Sequence, residues 1–282
     1  MTPDYAWPRV SVIIPALNEA PNLPYVFARI PADVHEVILV DGRSVDGTTE
    51  VARSLWPEAR IIVQTRRGKG NALACGFAVA TGDVIAMVDA DGSADSGEIP
   101  QFVKTLVDGA DFAKGTRFAK GGGSSDITRL RRFGNRILII IFNLCYGTHY
   151  SDLCYGFNVF WRRHAPVLGL DPISSELVAS ERNLWGDGFE IETLIHIRVA
   201  KAGLQVTEVP SFEHSRIHGV SNLSAFSDGR RVLRTIFLER RIAQSRPPQD
   251  AGSHAMGADR LMLTKVLPDH AKQAIPTPQE SK

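Results

Sequence analysis

Short apolar runs alternate with segments of helical spacing through the first half of the chain. The runs are rich in β-branched residues, as is typical of strands buried in a parallel sheet; they are RVSVIIPAL, HEVILVDG, ARIIVQT and DVIAMVDAD. The helical segments between them are NEAPNLPYVFARI, DGTTEVARSLW and GNALACGFAVAT. Asp46 stands where it would cap the second helix. This alternation predicts an α/β fold with a doubly wound sheet, which binds its ligands at the carboxyl ends of the strands.

The second half of the chain adds weaker signals of the same kinds. After a flexible AKGGGSSD, we predict a helix over residues 129–147, strands in SDLCYGFNVFWRR and LQVTEVPSF, and two further helices. The first of these helices, in GFEIETLIHIRVAKAG, ends at Gly203, and the second lies in SAFSDGRRVLRTIFLERRIAQ. From residue 246 the composition turns to Pro, Gln, Ala and Ser. We therefore predict one domain over residues 1–245, followed by a mostly disordered tail over residues 246–282.

Composition limits the classes of function. The 282 residues include 32 Lys and Arg and 31 Asp and Glu, so the net charge of +1 supplies no overall attraction to nucleic acid. Three cysteines without a CxxC pair favour a reducing, cytoplasmic compartment over a disulfide framework. The first residues lack a basic leader followed by an apolar core, so no secretory signal is predicted.

The longest apolar stretch is ILIIIFNLCYG, which follows the basic RLRRFGNR. It is well short of the roughly 20 residues that a membrane-spanning helix needs. Two interpretations stay open for it: a core helix with a solvated basic start, or a helix that lies against a membrane surface.

Polar clusters follow three of the predicted strands. They are residues 15–19, Asp41 and the pair Asp89 and Asp91. Acids are common at turns and helix caps, but two carboxylates one residue apart repel each other unless a cation lies near them. Because the clusters are expected on one edge of the sheet, we favour a ligand site with a divalent cation, Mg²⁺ or Mn²⁺.

Several motifs, in order and spacing, resemble those of family 2 glycosyltransferases, especially the polyprenyl-phosphate group that includes dolichyl-phosphate mannose synthase. These motifs are VSVIIPALNEAPNL, VDGRSVDGT, GKGNAL, ATGDVIAMVDADG, GTRFAKGGG, SDLCYGFNVF and RIHGVSNLS. The resemblance covers about residues 10–244. It implies the GT-A fold, in which a Rossmann-like nucleotide-binding half with a mixed, mostly parallel sheet is fused to an acceptor-binding half. We place these halves at about residues 9–118 and 119–245.

The same resemblance implies an inverting hexosyltransferase and assigns its residues. The GDP- or UDP-sugar donor would be held by Pro15, Ala16, Asn18, Glu19, Asp41, Gly70, Asp89, Ala90, Asp91, Arg216 and Ser221. Within this set Asp91 binds the metal, with Asp89 beside it, while Arg216 and Ser221 lie in a loop that closes over the diphosphate. Arg117 and Arg131 resemble a cationic pair that gathers phosphates.

The acceptor stays open between two kinds. A polyprenyl phosphate is already ionised and needs no general base, whereas a hydroxyl of a saccharide or small molecule needs a carboxylate to take its proton. Asp187, Glu190 and Glu192 are the base candidates, although acids in the first turn of a helix also favour its dipole. Departures from the mannose synthases, such as Asn135 where a Ser is common, leave the sugar and the acceptor undetermined.

The sequence also argues against two other classes of protein. A sugar nucleotidyltransferase should carry a glycine-rich, basic loop after the first strand, but that place reads PALNEAPNL. A non-catalytic nucleotide-sugar-binding protein would be expected to lose Asp91 or Arg216, and both are present. The expected partners are therefore a nucleotide-sugar donor, a polyprenyl-phosphate or glycan acceptor, and a peripheral membrane contact or a membrane-protein partner.

Overall fold

The computed structural model describes residues 7–170, 172, 186–188, 190–219 and 225–244, with the side chains of residues 225–228 and 242–244 left out. Ser221 and the predicted tail over residues 246–282 lie outside the described residues, so the domain boundary and the role of Ser221 stay predictions.

The described part of the chain contains nine strands and seven α-helices. The strands are β1 (Val10–Ala16), β2 (Glu36–Asp41), β3 (Arg60–Val63), β4 (Val84–Met87), β5 (Phe112–Thr116), β6 (Gly123–Ser124), β7 (Asn158–Trp161), β8 (Val206–Pro210) and β9 (Phe212–Glu213). The helices are α1 (Leu23–Phe27), α2 (Thr48–Leu55), α3 (Lys69–Val79), α4 (Ile99–Val107), α5 (Arg129–Tyr146), α6 (Ile191–Lys201) and α7 (Ala225–Gln244). Among these described helices, none has the length and hydropathy of a membrane span.

Seven strands form one mixed sheet in the order β3-β2-β1-β4-β7-β5-β8. Strands β1 to β4 pair in parallel, and β8 pairs in parallel with β5. Strand β7 is antiparallel to both of its neighbours, β4 and β5. The prediction of an α/β fold with a mostly parallel sheet is confirmed. Strands β6 and β9 form a separate parallel pair, so part of the segment expected to be flexible is a strand.

Helices cover both faces of the large sheet because its strands bury side chains on alternate sides. Val12 and Ile14 of β1 pack on one face with α1 and α4, in a cluster that includes Phe102. Ile13 points to the opposite face, where it packs with α3 and α6, in a cluster that includes Leu73. The apolar runs of the sequence therefore correspond to strands buried on both faces.

A third cluster joins α5, α6 and α7. It contains Phe142 of α5, Ile197 of α6 and Ile236 of α7. An ion pair between Lys201 and Glu239, 2.7 Å apart, also links α6 to α7. Helix α6 thus packs on the sheet with one side and on two helices with the other, as expected for a helix that is apolar all round.

The helix ends refine two of the predictions. The cap residue of α2 is Gly47, at φ 86°, and not Asp46. The carboxylate of Asp46 instead accepts hydrogen bonds from the Thr48 N–H at 3.1 Å and the Ala20 N–H at 3.0 Å. It therefore connects the loop after β1 to the start of α2. Gly203, at φ 67°, follows the Ala202 cap of α6, close to the predicted end.

We predict that Gly76→Ala destabilises the fold because α3 lies close to β1 at this glycine. An added Cβ would lie 2.4 Å from Cγ2 of Ile13 and 3.2 Å from Cγ2 of Val40. Overpacking of this kind costs about 1–3 kcal/mol, which should be measurable as a lower Tm. Gly134→Ala in α5 is the matched control, since its Cβ would meet nothing within 4 Å; it should melt at or above the wild-type temperature. A Gly76→Ala variant as stable as wild type would contradict this packing.

Candidate active site

The three predicted polar clusters lie along one edge of the sheet. Strand β1 pairs with both β2 and β4, with Ala16 opposite Asp41 and Ile13 opposite Met87. All three strands run in the same direction, so their carboxyl ends share one edge. This edge, formed by the segments after β1, β2 and β4, is called the rim below. A rim of this kind is where α/β sheets bind ligands.

Asn18 and Asp41 fix the first two loops of the rim. The buried Asp41 carboxylate accepts hydrogen bonds from the Arg43 N–H at 3.0 Å and the Ser44 N–H at 3.1 Å. Asn18, at φ 56°, donates its N–H to Oγ of Ser44 at 2.9 Å and accepts the Val45 N–H at 2.9 Å. The loops after β1 and β2 are therefore held against each other, beside Pro15 and Ala16 at the end of β1.

Lys69 lies between two carboxylates at the start of α3. Its Nζ is 2.6 Å from Oδ1 of Asp89 and 2.6 Å from Oε1 of Glu192. Burial by itself lowers the pKa of Lys69, but the two carboxylates outweigh it and raise that pKa. Burial raises the pKa of Glu192, although Lys69 opposes this. Asp89, the predicted second metal ligand, is thus already paired with a cation from the protein.

Sequence reasoning missed Lys69 as a site residue. Lys69 lies in GKGNAL, one of the motifs that carry the family resemblance. That position could have identified it as a site residue.

Arg216 links Glu19 and Asp91, two further carboxylates of the rim. Its Nη2 lies 2.9 Å from Oε1 of Glu19 and 3.5 Å from Oδ2 of Asp91. Nearby, the His218 N–H donates to Oδ1 of Asn22 at 2.9 Å, and the Asn22 amide donates to the His218 carbonyl at 3.2 Å. These contacts hold the segment after β9 over the rim, with its positive charge between two carboxylates.

Asp91 can supply only part of the ligands that Mg²⁺ or Mn²⁺ needs. Its Oδ1 accepts the Ser93 N–H at 3.0 Å, while Oδ2 faces the Arg216 guanidinium. No group of three His, Cys, Asp or Glu side chains with metal-site geometry exists among the described residues. A hard cation held by one or two carboxylates takes its other ligands from water and substrate phosphates. The residues present therefore fit a metal that binds together with a diphosphate.

Gly70 allows α3 to approach the main chain before α6. Its N–H donates to the Asp187 carbonyl at 2.9 Å, and an added Cβ would lie 1.7 Å from the Gly186 oxygen. The predicted close passage at Gly70 exists, but its neighbour in this structure is the protein backbone. Its contact with the nucleotide stays a prediction.

Two of the three predicted base carboxylates, Asp187 and Glu190, are engaged in local structure. Asp187 forms a two-point ion pair with Arg66, at 2.9 Å and 3.0 Å, and is almost fully buried. Glu190 accepts the N–H groups of Gly186 at 3.2 Å and Gly188 at 3.3 Å. These contacts hold the turn before α6 in place.

Arg117 is buried between two carboxylates in the second half of the chain. It donates to Asp152 at 2.6 Å and 2.8 Å, and to Glu213 at 3.0 Å. Burial lowers the pKa of Arg117, but these carboxylates outweigh it and raise that pKa. The charge of Arg117 also lowers the pKa of Glu192.

The start of α5 lies beside this cluster. Asn135 donates from Nδ2 to Oδ1 of Asp152 at 3.3 Å, while its buried Oδ1 has no hydrogen-bond partner among the described residues. Arg131, one turn earlier, forms an ion pair with Asp126 at 3.5 Å. The structure therefore brings Arg117 and Asn135 together on Asp152, with Arg131 on the same helix.

The chain belongs to glycosyl transferase family 2, since the model of that family matches residues 11–167. It is 30% identical to glycosyltransferase AglJ of Haloferax volcanii over 235 residues, which cover 81% of this chain and 69% of AglJ. It is 37% identical to dolichol-phosphate mannosyltransferase of Pyrococcus furiosus over 224 residues, which cover 76% of this chain and 59% of that enzyme. The chain thus spans only part of the length of these relatives.

A solved structure shows the same fold. The glucosyl-3-phosphoglycerate synthase of Mycobacterium tuberculosis, crystallised with Mn²⁺, UDP and glucosyl-3-phosphoglycerate, superimposes with a TM-score of 0.61 at 21% identity. The match covers 85% of each chain. The GT-A fold prediction is confirmed, as is the prediction of an enzyme that transfers a sugar from a nucleotide sugar.

We predict that Lys69→Met strongly destabilises the protein, by about 3–5 kcal/mol, because it leaves the Asp89 and Glu192 carboxylates without their shared cation. The folded variant should hold a proton on Glu192 at a pH where the unfolded chain releases it. Its stability deficit should therefore be largest at high pH and shrink as the pH falls toward the ordinary carboxyl range. Urea unfolding at several pH values measures this.

Lys104→Met is the matched control, since Lys104 pairs with Asp108 on the exposed surface. It should change stability by no more than about 0.5 kcal/mol. Equal losses in both variants, or a deficit in Lys69→Met that does not depend on pH, would contradict the buried cluster.

Proposed function

We propose that this chain is a metal-dependent, inverting glycosyltransferase that moves a hexose from a GDP- or UDP-sugar to polyprenyl phosphate. The observation that carries the donor half of this proposal is Arg216, which spans Glu19 and Asp91 at the rim. A cation and a metal-binding carboxylate in contact form the site that a nucleoside diphosphate needs.

The donor chemistry explains why positive charge is needed there. Breaking the bond between the sugar and the phosphate leaves a nucleoside diphosphate with added negative charge. Arg216 stabilises that charge from the segment over the rim, and a bound Mg²⁺ or Mn²⁺ would act as a Lewis acid beside Asp91. The M. tuberculosis structure, crystallised with UDP and Mn²⁺, supports this assignment.

The acceptor half rests on the second cluster. A lipid phosphate is ionised near neutral pH, so it attacks the anomeric carbon from the face opposite the diphosphate without a general base. Arg131 and Arg117 would position it against repulsion from the donor. The name of the Pyrococcus relative supports a polyprenyl acceptor. The engagement of Asp187 and Glu190 in local structure also supports a reaction without a base. Such an enzyme works in the cytoplasm, at the membrane face.

One observation favours a second candidate, transfer to a hydroxyl of a saccharide or small molecule. The buried Oδ1 of Asn135 accepts no hydrogen bond from the described residues, and a hydroxyl would donate one to it. Burial raises the pKa of Glu192, which is the direction that favours a proton acceptor.

We predict that Asp91→Asn abolishes turnover and metal-dependent binding of the nucleotide while the fold remains intact. The variant loses a charged oxygen ligand at the point where the metal and the diphosphate meet. Calorimetric titration of UDP and GDP with and without Mn²⁺ measures this, and Asp108→Asn on the surface serves as the control. Full activity of Asp91→Asn, or of the wild type in excess EDTA, would overturn the metal assignment.

Arg131→Ala distinguishes the two acceptors. On the lipid-phosphate proposal it should raise the acceptor KM by about tenfold or more and leave nucleotide affinity nearly unchanged, because it removes one charged contact to the phosphate. Glu190→Gln keeps the oxygen that accepts the main-chain N–H groups, so it should retain most transfer activity. If Glu190→Gln loses transfer activity while Arg131→Ala leaves the acceptor KM unchanged, the acceptor is a hydroxyl.

A further inference from the structure

Helix α5 exposes a continuous apolar face. The large side chains on it are Leu130, Phe133, Ile137, Ile140 and Leu144. Their spacing of three and four residues places them within an arc of about 80° on the helix. Phe133 is 64% exposed and Leu144 is 79% exposed. The opposite side of the helix carries the buried Asn135 and Phe142, so this face is not needed for packing onto α6 and α7.

The charge on α5 has one sign. The segment Arg129–Tyr146 contains four arginines and no acidic residue. At 3.6 residues per turn, Arg129, Arg132 and Arg136 lie along one border of the apolar face, and all three are exposed. An apolar face with a basic border is the arrangement by which amphipathic helices lie in the headgroup region of a bilayer.

Charge complementarity favours an anionic bilayer over the other partners that could cover this face. A second copy of the chain would bring the same arginines, which repel one another. Residues 246–282 carry five basic and four acidic side chains, so they offer no excess of negative charge. An anionic lipid surface matches both the apolar residues and the arginines.

We propose that the exposed face of α5 docks on the surface of an anionic lipid bilayer. Leu130, Phe133, Ile137, Ile140 and Leu144 enter the apolar boundary, while the arginines contact lipid phosphates. The basic start of α5 is also the part that carries Arg131 and Asn135. Docking therefore holds the bilayer that contains a lipid acceptor against the helix whose buried side contacts Asp152 through Asn135. Only the link to a lipid acceptor rests on the proposed function. The test below distinguishes failure of membrane docking from failure of the proposed function.

The test is flotation of the full chain with vesicles of phosphatidylcholine, alone or mixed with phosphatidylglycerol. The wild type should bind the mixed vesicles more tightly, and added salt should weaken the binding. Phe133→Ser with Ile140→Ser should lower the partition coefficient by at least about tenfold. Arg132→Glu with Arg136→Glu should remove the preference for anionic lipid.

Val63→Ser with Val107→Ser is the matched control, since both valines are exposed elsewhere on the protein; this variant should bind as the wild type does. Wild-type protein that does not float, or α5 variants that float equally well, would overturn the proposal. A dimer in sedimentation that the α5 variants dissociate, without vesicle binding, would assign the face to a second copy and also overturn it.

A water-soluble short-chain prenyl phosphate separates this proposal from the proposed function. The α5 variants should use it as well as the wild type does. Transfer to it by a wild type that does not bind vesicles would overturn only the docking proposal. Vesicle binding by a wild type that transfers no sugar to any prenyl phosphate would support docking and overturn only the proposed acceptor.

Discussion

Carboxylates that converge at the end of a sheet must be balanced by nearby positive charge, because burial and mutual repulsion both oppose their ionisation. In this protein Asp89 and Glu192 share Lys69, while Glu19 and Asp91 share Arg216. Lys69 comes from the start of α3 and Arg216 from the segment after β9, so the balance at the rim ties together parts that are distant in sequence. The carboxylates that suit a metal and a diphosphate therefore also require that Lys69 and Arg216 be folded against them.

The same principle holds where Arg117 meets two carboxylates of the second half of the chain. Arg117 is held between Asp152 and Glu213, and Glu213 belongs to β9, which precedes the segment that carries Arg216. The short stretch from Glu213 to Arg216 therefore connects the two clusters along the chain. Asn135, on the buried side of α5, contacts this second cluster, and the exposed apolar face lies on the other side of the same helix.

Much of the fold could be predicted because strands buried on both faces carry unbroken apolar runs, as β1, β2 and β4 do. The position of β7 between β4 and β5 could not, since its apolar run does not specify a partner or a direction. The rim was predicted from the strand ends. The pairing of Lys69 was not, because a lysine at a helix start usually lies in solvent. The partners of Arg117 lie 35 and 96 residues away in sequence, beyond the reach of local patterns.

Identification of the product decides whether this protein transfers a hexose to polyprenyl phosphate. The full chain is incubated with UDP- and GDP-hexoses, with Mg²⁺ or Mn²⁺, and with polyprenyl phosphate or a panel of saccharides. Mass spectrometry then identifies the glycosylated acceptor, and NMR gives its anomeric configuration. We expect a polyprenyl-phosphate hexose of inverted configuration, formed only when metal and lipid phosphate are both present. A product of retained configuration, or one formed only on a saccharide hydroxyl, would contradict it.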